Sequence, residues 1–284
     1  MGVDLALQYD GEIIGADSRQ VYRGMDIGTG KDLAEFVVSP EKSIPYHLID
    51  VADPNDEFDV VKFVELANKA IEDVLKIGKL PIVVGGTGFY LQALVDGISF
   101  SKLGINKELH AELEKFSKEE LFEKLHNLKV DFAERLNQSD RGNKRRLIRY
   151  VEIAMTEPEA LSEKETVVEA KYDFILVGIK RPRDVLVDAI SKRLRVRLEQ
   201  EGMVDEVARL HEEGVSWKRL ESFGLEYKFV SWYLQEKIEY DEMVERLDIA
   251  IRQFAKRQMT WFRRWEKMGA KIHWVENINQ IPNF

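Results

Sequence analysis

The sequence has no cysteine, which excludes disulfides and thiolate metal sites and is compatible with a reducing cytoplasm. It has no apolar run long enough to span a bilayer, and its start lacks the shape of a signal peptide. Histidine is sparse: His47, His110, His126, His211 and His273 are scattered without metal-ligand spacing, which argues against a zinc site. Positive charge is not in excess, because the net charge is −9. That argues against non-specific nucleic-acid binding, yet such binding depends on local rather than global charge. Internal repeats and low-complexity tracts are also missing. What remains is a chain of 284 residues, enough for one large or two modest domains with a buried core.

The pattern along the chain is α/β. Residues 1–9 read as part of a helix. The run Glu12-Ile13-Ile14-Gly15-Ala16 reads as a strand covered on both faces, with Asp17 at its carboxyl end. Residues 21–43 are turn-rich, and residues 48–51 read as a short strand before Pro54. Over residues 58–78, Phe58, Val61, Val64, Ala67, Ile71, Val74 and Leu75 recur at helical steps, and Gly78 ends the helix. Residues 81–84 then form a buried strand, and Gly85-Gly86-Thr87-Gly88 turns into a helix over 89–95. This strand–helix–strand spacing implies a parallel sheet. Residues 100–165 change character to charged helices, with a capping box at Ser117-Lys118-Glu119-Glu120. Residues 173–180 read as a buried strand that returns to the main sheet, and the chain is mostly helical from Arg183. The expected division is an α/β core over 1–99 and 166–284, with a helical insertion over 100–165.

Several residues carry chemistry in this pattern. Asp17 lies at the strand edge where open α/β sheets bind ligands. It reads either as a turn former or as a group that takes a proton. Thr87 sits in a glycine turn with free N–H groups; it reads either as an N-cap or as a donor to an anion. Arg193 follows Leu186, Ala189 and Ile190 on one helical stripe, so it reads as pairing with an acidic partner, meeting a bound anion or snorkelling to the surface; Arg197 is a second candidate. Lys144, Arg145, Arg146 and Arg149 cluster on one short helix. Lys256, Arg257, Arg263 and Arg264 flank Gln258, Trp261 and Phe262 on another. Each cluster is either a solvated face or a phosphate-contacting surface. Gly28-Thr29-Gly30-Lys31 is a decoy: it lacks the full phosphate-loop pattern, and Asp32 stands where a hydroxyl residue would bind magnesium.

The stretch Asp17-Ser18-Arg19-Gln20-Val21-Tyr22-Arg23-Gly24-Met25-Asp26-Ile27-Gly28-Thr29 resembles the signature of the bacterial tRNA dimethylallyltransferases. IPYHLID from Ile44, PIVVGGTGFY from Pro81, RRLIR from Arg145 and FAKRQMTWFRR from Phe254 match in the same order, across nearly the whole chain. The resemblance implies a P-loop NTPase-like, mostly parallel sheet with helices on both faces. It implies transfer of a dimethylallyl group from dimethylallyl diphosphate to N6 of the adenine beside a tRNA anticodon, by a cytoplasmic monomer without membrane contact. Asp17, Thr87 and Arg193 would be catalytic, with Thr87 and Arg193 on the diphosphate. Asp17, Ser18, Arg19, Gln20, Lys144, Arg145, Arg146, Arg149, Tyr227, Lys228 and Gln258 would face tRNA. Mg2+ would be held mainly by phosphate oxygens and waters, with the Ser18 hydroxyl.

Two departures stand out. Glu226 occupies the position before Tyr227 where the family usually has Gly. The family's GxTxxGK[ST] loop precedes the helix that here begins near Asp4, and this chain starts just after it. The expectation is therefore that these 284 residues are severely impaired in prenyl transfer. The alternatives are a tRNA-binding remnant and an enzyme acting on free adenine nucleotide.

Overall fold

A computed structural model describes residues 1–97, 106–161 and 171–281. Two compact units emerge, one formed by 1–95 with 171–284 and the other by 96–170. The boundaries expected at 99/100 and 165/166 lie outside the described residues.

The first unit opens with helix α1 (Gly2–Gln8) and strand β1 (Gly11–Gly15), every residue of which is buried. A hairpin of β2 (Val37–Ser39) and β3 (Lys42–Ser43) precedes the short strand β4 (Tyr46–His47). Helix α2 (Val60–Lys76) starts where the Asp59 side chain accepts from Lys62 N–H at 2.9 Å, satisfying one of the free donors of the first turn. It stops at Gly78, whose φ of +74° only glycine adopts at little cost. Its buried stripe is Phe63, Ala67, Ala70, Ile71 and Val74; Leu75, read as core, is exposed. Strand β5 (Leu80–Val84) then pairs parallel to β1 in the register Gly11–Leu80 to Gly15–Val84, and helix α3 (Gly88–Val95) follows. The parallel order is β4-β1-β5. Ile14 and Ala16 pack with Phe63, Ala67 and Ile71 of α2 and with Tyr90 and Leu94 of α3. The Phe63 and Tyr90 rings stack at 4.4 Å.

The second unit is helical. It comprises α4 (Lys107–Leu113), α5 (Lys118–Leu128), α6 (Val130–Arg135), α7 (Gln138–Arg141) and α8 (Lys144–Thr156). The capping box forms as read: the Ser117 hydroxyl accepts from Glu120 N–H, and the Glu120 carboxylate accepts from Ser117 N–H. Leu121, Leu125, Leu147, Ile148 and Val151 form this unit's own core.

The chain returns to the first unit through β6 (Leu176–Ile179) and continues as α9 (Arg183–Glu199), α10 (Met203–Glu212), α11 (Trp217–Phe223), α12 (Leu225–Leu234), α13 (Tyr240–Lys267) and β7 (Ile272–Val275). Helices α9–α13 bury an apolar cluster that takes in Val21, Tyr22 and Met25 from the loop after β1. That docking fixes the loop carrying the signature residues.

Three local readings need correction. Residues 48–51 are not a strand, because Leu48 and Asp50 take φ of +62° and +57°, which breaks extended pairing; the ladder lies one step earlier, at β4. Strand β5 is only partly buried, with Val84 40% exposed, since β1 flanks it on one side only. Strand β6 does not join the main sheet; it pairs parallel with β7. An apolar run records that a strand is covered, not which strand lies beside it.

Candidate functional site

The site lies where β1 and β5 end. Beyond the strands the two chains stay in contact: Ala16 N–H donates to Val84 O at 2.7 Å, and Thr87 N–H donates to Ala16 O at 3.3 Å. Gly85 is pressed so closely on the Ala16 carbonyl that a Cβ there would overlap it. This contact requires glycine and draws Thr87 onto the turn after β1. Thr87 Oγ1 accepts from Ser18 N–H at 3.0 Å and lies 3.4 Å from Ser18 Oγ.

Asp17 commits one of its two oxygens to the turn. Its Oδ1 accepts from Arg19 N–H at 2.8 Å and Gln20 N–H at 3.3 Å, which shapes the turn. Its Oδ2 lies on the side of Gly86, where a Cβ would sit 3.8 Å from it. Burial raises the pKa of this carboxyl, and the two N–H donors oppose the rise.

Helix α13 covers the glycine turn. Gln258 Nε2 donates to Gly86 O at 2.9 Å, and the Trp261 indole packs on Gly88, 6.0 Å from the Phe89 ring. The Trp261 indole nitrogen is buried without a hydrogen-bond partner among the described residues.

The cations come from α9. Arg193 is exposed rather than turned into the core. Its surface is open, yet neighbouring atoms crowd the guanidinium, so desolvation first and repulsion from Arg197 second lower its pKa, while Glu226 and Asp32 act the other way. Arg197 is the buried one, at 4% exposure. Among the described residues its nearest carboxylate oxygen, on Asp32, is 3.8 Å away, and its Nη2 rests on Gly30 with no hydrogen-bond partner. Glu226 is also buried. Burial raises its pKa; Arg197 and Arg193 lower it, and Asp17 raises it further. Asp17, Glu226, Arg193 and Arg197 therefore act on one region, with Thr87 and Ser18 beside Asp17.

A family model described as IPP transferase matches residues 20–265. The chain belongs to the IPP transferase family. It is 44% identical over 276 residues to tRNA dimethylallyltransferase 1 of Geotalea uraniireducens, covering 97% of this chain and 87% of that protein. It is 45% identical over 285 residues to tRNA dimethylallyltransferase of Treponema pallidum, covering 97% and 86%. The solved tRNA isopentenylpyrophosphate transferase of Bacillus halodurans matches 96% of this chain and 84% of its own, with 32% identity and a TM-score of 0.65. A eukaryotic dimethylallyltransferase acting on tRNA shares the fold, with 24% identity and a TM-score of 0.78.

The other signature residues fall on both sides of this site. Gln20 Nε2 donates to Thr29 O and Gly30 O. The Arg19 guanidinium lies 5.5 Å over the Phe223 ring. Lys228 covers the Trp232 ring at 4.5 Å. Tyr227 is the correction: it is only 2% exposed and its hydroxyl donates to Glu206, so its side chain is not presented to tRNA. The family resemblance points to this position, and in this chain the buried Glu206 carboxylate claims the hydroxyl. Lys31 of the decoy is buried against Asp26, Asp50 and the Tyr22 carbonyl, committed to its own loop.

On α8 the basic residues are already engaged in part. Lys144 donates to Glu114 O at 2.7 Å, Arg146 pairs with Asp140, and Arg149 lies 3.4 Å from Glu152. The side chain of Arg145, alone of the four, has no ion pair or hydrogen bond among the described residues. No group of three His, Asp or Glu is placed to hold a metal ion among the described residues. Nor is any described helix long and apolar enough to cross a membrane.

Proposed function

We propose that this chain transfers a dimethylallyl group from dimethylallyl diphosphate to N6 of the adenine beside the anticodon of tRNA. The observation that carries the reading is the junction of Ser18 and Thr87 beside Asp17 at the carboxyl ends of β1 and β5, in a chain of the IPP transferase family.

The adenine amine attacks the allylic carbon, a C–N bond forms, and the C–O bond to diphosphate breaks. The free Oδ2 side of Asp17 receives the amine proton, while Oδ1 stays with the turn and fixes the carboxylate's orientation. The Thr87 hydroxyl hydrogen faces only a long contact to Ser18, so it is available to the oxygen that gains charge. Arg193, exposed beside Glu226 and Arg197, meets the diphosphate. The donor set suits Mg2+ bound chiefly through substrate phosphates and waters, because Ser18 Oγ offers one protein oxygen and no acidic cage is present among the described residues. When bound, the ion neutralises charge on the leaving diphosphate.

Arg19, Gln20, Lys228 and Gln258 line the approach for the anticodon loop, and the helical unit over 96–170 offers Arg145 and its neighbours to phosphates. These basic surfaces favour tRNA over a free nucleotide. The test is a single-turnover assay with enzyme in excess over an unmodified tRNA carrying adenine at that position, run beside adenosine monophosphate. Prenyl transfer to the tRNA is expected, and enzyme excess registers it even where turnover is slow. Transfer to the mononucleotide alone would overturn tRNA as the acceptor.

A further inference from the structure

We infer that Glu206 is a positioning residue for tRNA recognition, acting through Gln20. The inference rests on the reading that Gln20 contacts tRNA.

Glu206 lies on α10, 5% exposed and far along the chain from the signature loop. Its Oε2 accepts from Asp26 N–H at 2.8 Å and Ile27 N–H at 2.7 Å. Its Oε1 accepts from Gly28 N–H at 3.0 Å and the Tyr227 hydroxyl at 2.7 Å. Three successive backbone N–H groups thus converge on one buried carboxylate, and the fourth donor is a buried phenol. Four donors fill the acceptor sites of a carboxylate, so the group is satisfied only by this one loop shape. The loop is shaped to receive it: a Cβ on Gly28 would sit 2.7–2.8 Å from the Tyr227 ring, so any side chain there would push the loop off Glu206.

The held loop does one thing toward the site. Its Thr29 and Gly30 carbonyls accept from Gln20 Nε2 at 3.3 and 2.9 Å. Gln20 N–H in turn donates to Asp17 Oδ1. With its amide hydrogens given to the loop, Gln20 keeps its Oε1 as the atom for a donor group on RNA. Glu206 therefore sets the side-chain orientation of a residue adjacent to the reacting carboxylate without touching RNA.

A carboxylate that merely stabilised the fold would lower the amount of active protein for every contact alike. One that acts through Gln20 makes the two residues interdependent. The experiment is a pair of double-mutant cycles read as the Kd for unmodified tRNA at fixed salt. Gln20→Ala and Glu206→Gln are each expected to weaken binding about tenfold, the scale of one hydrogen bond to an oriented polar group. The double variant is expected to be no weaker than Glu206→Gln alone. In the second cycle, Glu206→Gln with Arg145→Glu is expected to multiply. Tyr227→Phe removes one donor and leaves the carboxylate; it is expected to give a smaller loss with the same dependence on Gln20, and it carries the cycle if Glu206→Gln does not fold. Independent multiplication of the Gln20 and Glu206 losses overturns the inference and leaves the tRNA contact standing. A silent Gln20→Ala overturns both.

Discussion

At the scale of single residues, the site depends on carboxylates whose surroundings divide their duties. Asp17→Asn keeps an oxygen for Arg19 and Gln20 N–H but cannot take a proton. It should lower the rate of prenyl transfer by about 10²–10⁴, the range for a lost general base, with tRNA affinity close to normal. Single-turnover rates beside a tRNA titration check both parts. The sign of the pH dependence follows from burial. As the proposed proton acceptor Asp17 has to be ionised, and its pKa lies above the ordinary value of 3.8. Activity should therefore fall as pH drops through a point higher than an exposed aspartate would give. Gly30 supplies a second prediction. Its φ is +64°, and a Cβ would overlap the buried Arg197 guanidinium. Gly30→Ala should cost about 1–3 kcal/mol of stability, read from urea unfolding.

Much of this site was legible because its residues sit in one contiguous signature and one glycine turn. The sequence pattern puts Asp17 at the end of one strand and Thr87 in the glycine turn after another, and the parallel pairing of β1 with β5 brings Thr87 onto Ser18. Arg193 and Arg197 were both visible as helical arginines, yet their exposures are the reverse of the stripe reading. A stripe of three apolar residues fixes a helix face only to within a neighbouring position. Glu206 left no signal, since an acidic residue on an amphipathic helix looks solvated until backbone donors from a distant loop are seen to close on it.

At the scale of elements, helices were easier to read than strand partners. The capping box at Ser117 and the end of α2 at Gly78 are local chemistry and formed as read. The partner of β6 is a long-range choice that no local pattern encodes. Helix α8 illustrates why a basic run overstates a binding surface. Three of its four cations already serve Glu114, Asp140 and Glu152. Arg145→Glu should therefore reduce the slope of log K against log salt for tRNA by about one, while Arg146→Glu and Arg149→Glu reduce it less. Filter binding across a salt series distinguishes the three; slopes unchanged from the parent protein would leave α8 as a solvated face.

At the scale of the molecule, two units with separate cores imply two cooperative transitions rather than one. Leu125 is fully buried in the helical unit. Leu125→Ala should cost about 2–5 kcal/mol there and shift one calorimetric transition downward, leaving the other in place. A single shifted transition would show that the units unfold together.

The β6–β7 ladder sets an order of events during synthesis. Leu176 pairs with Ile272, so β6 emerges from the ribosome long before its partner does. Helices α4–α8 close their core from near neighbours in sequence, which is fast. The first unit is different: its loop core needs α9–α13, and β6 waits for β7, so its completion is the late, slow step. Trp274 on β7 can report it, since its ring lies against Gly178 of β6, where a Cβ would sit 2.6 Å from it.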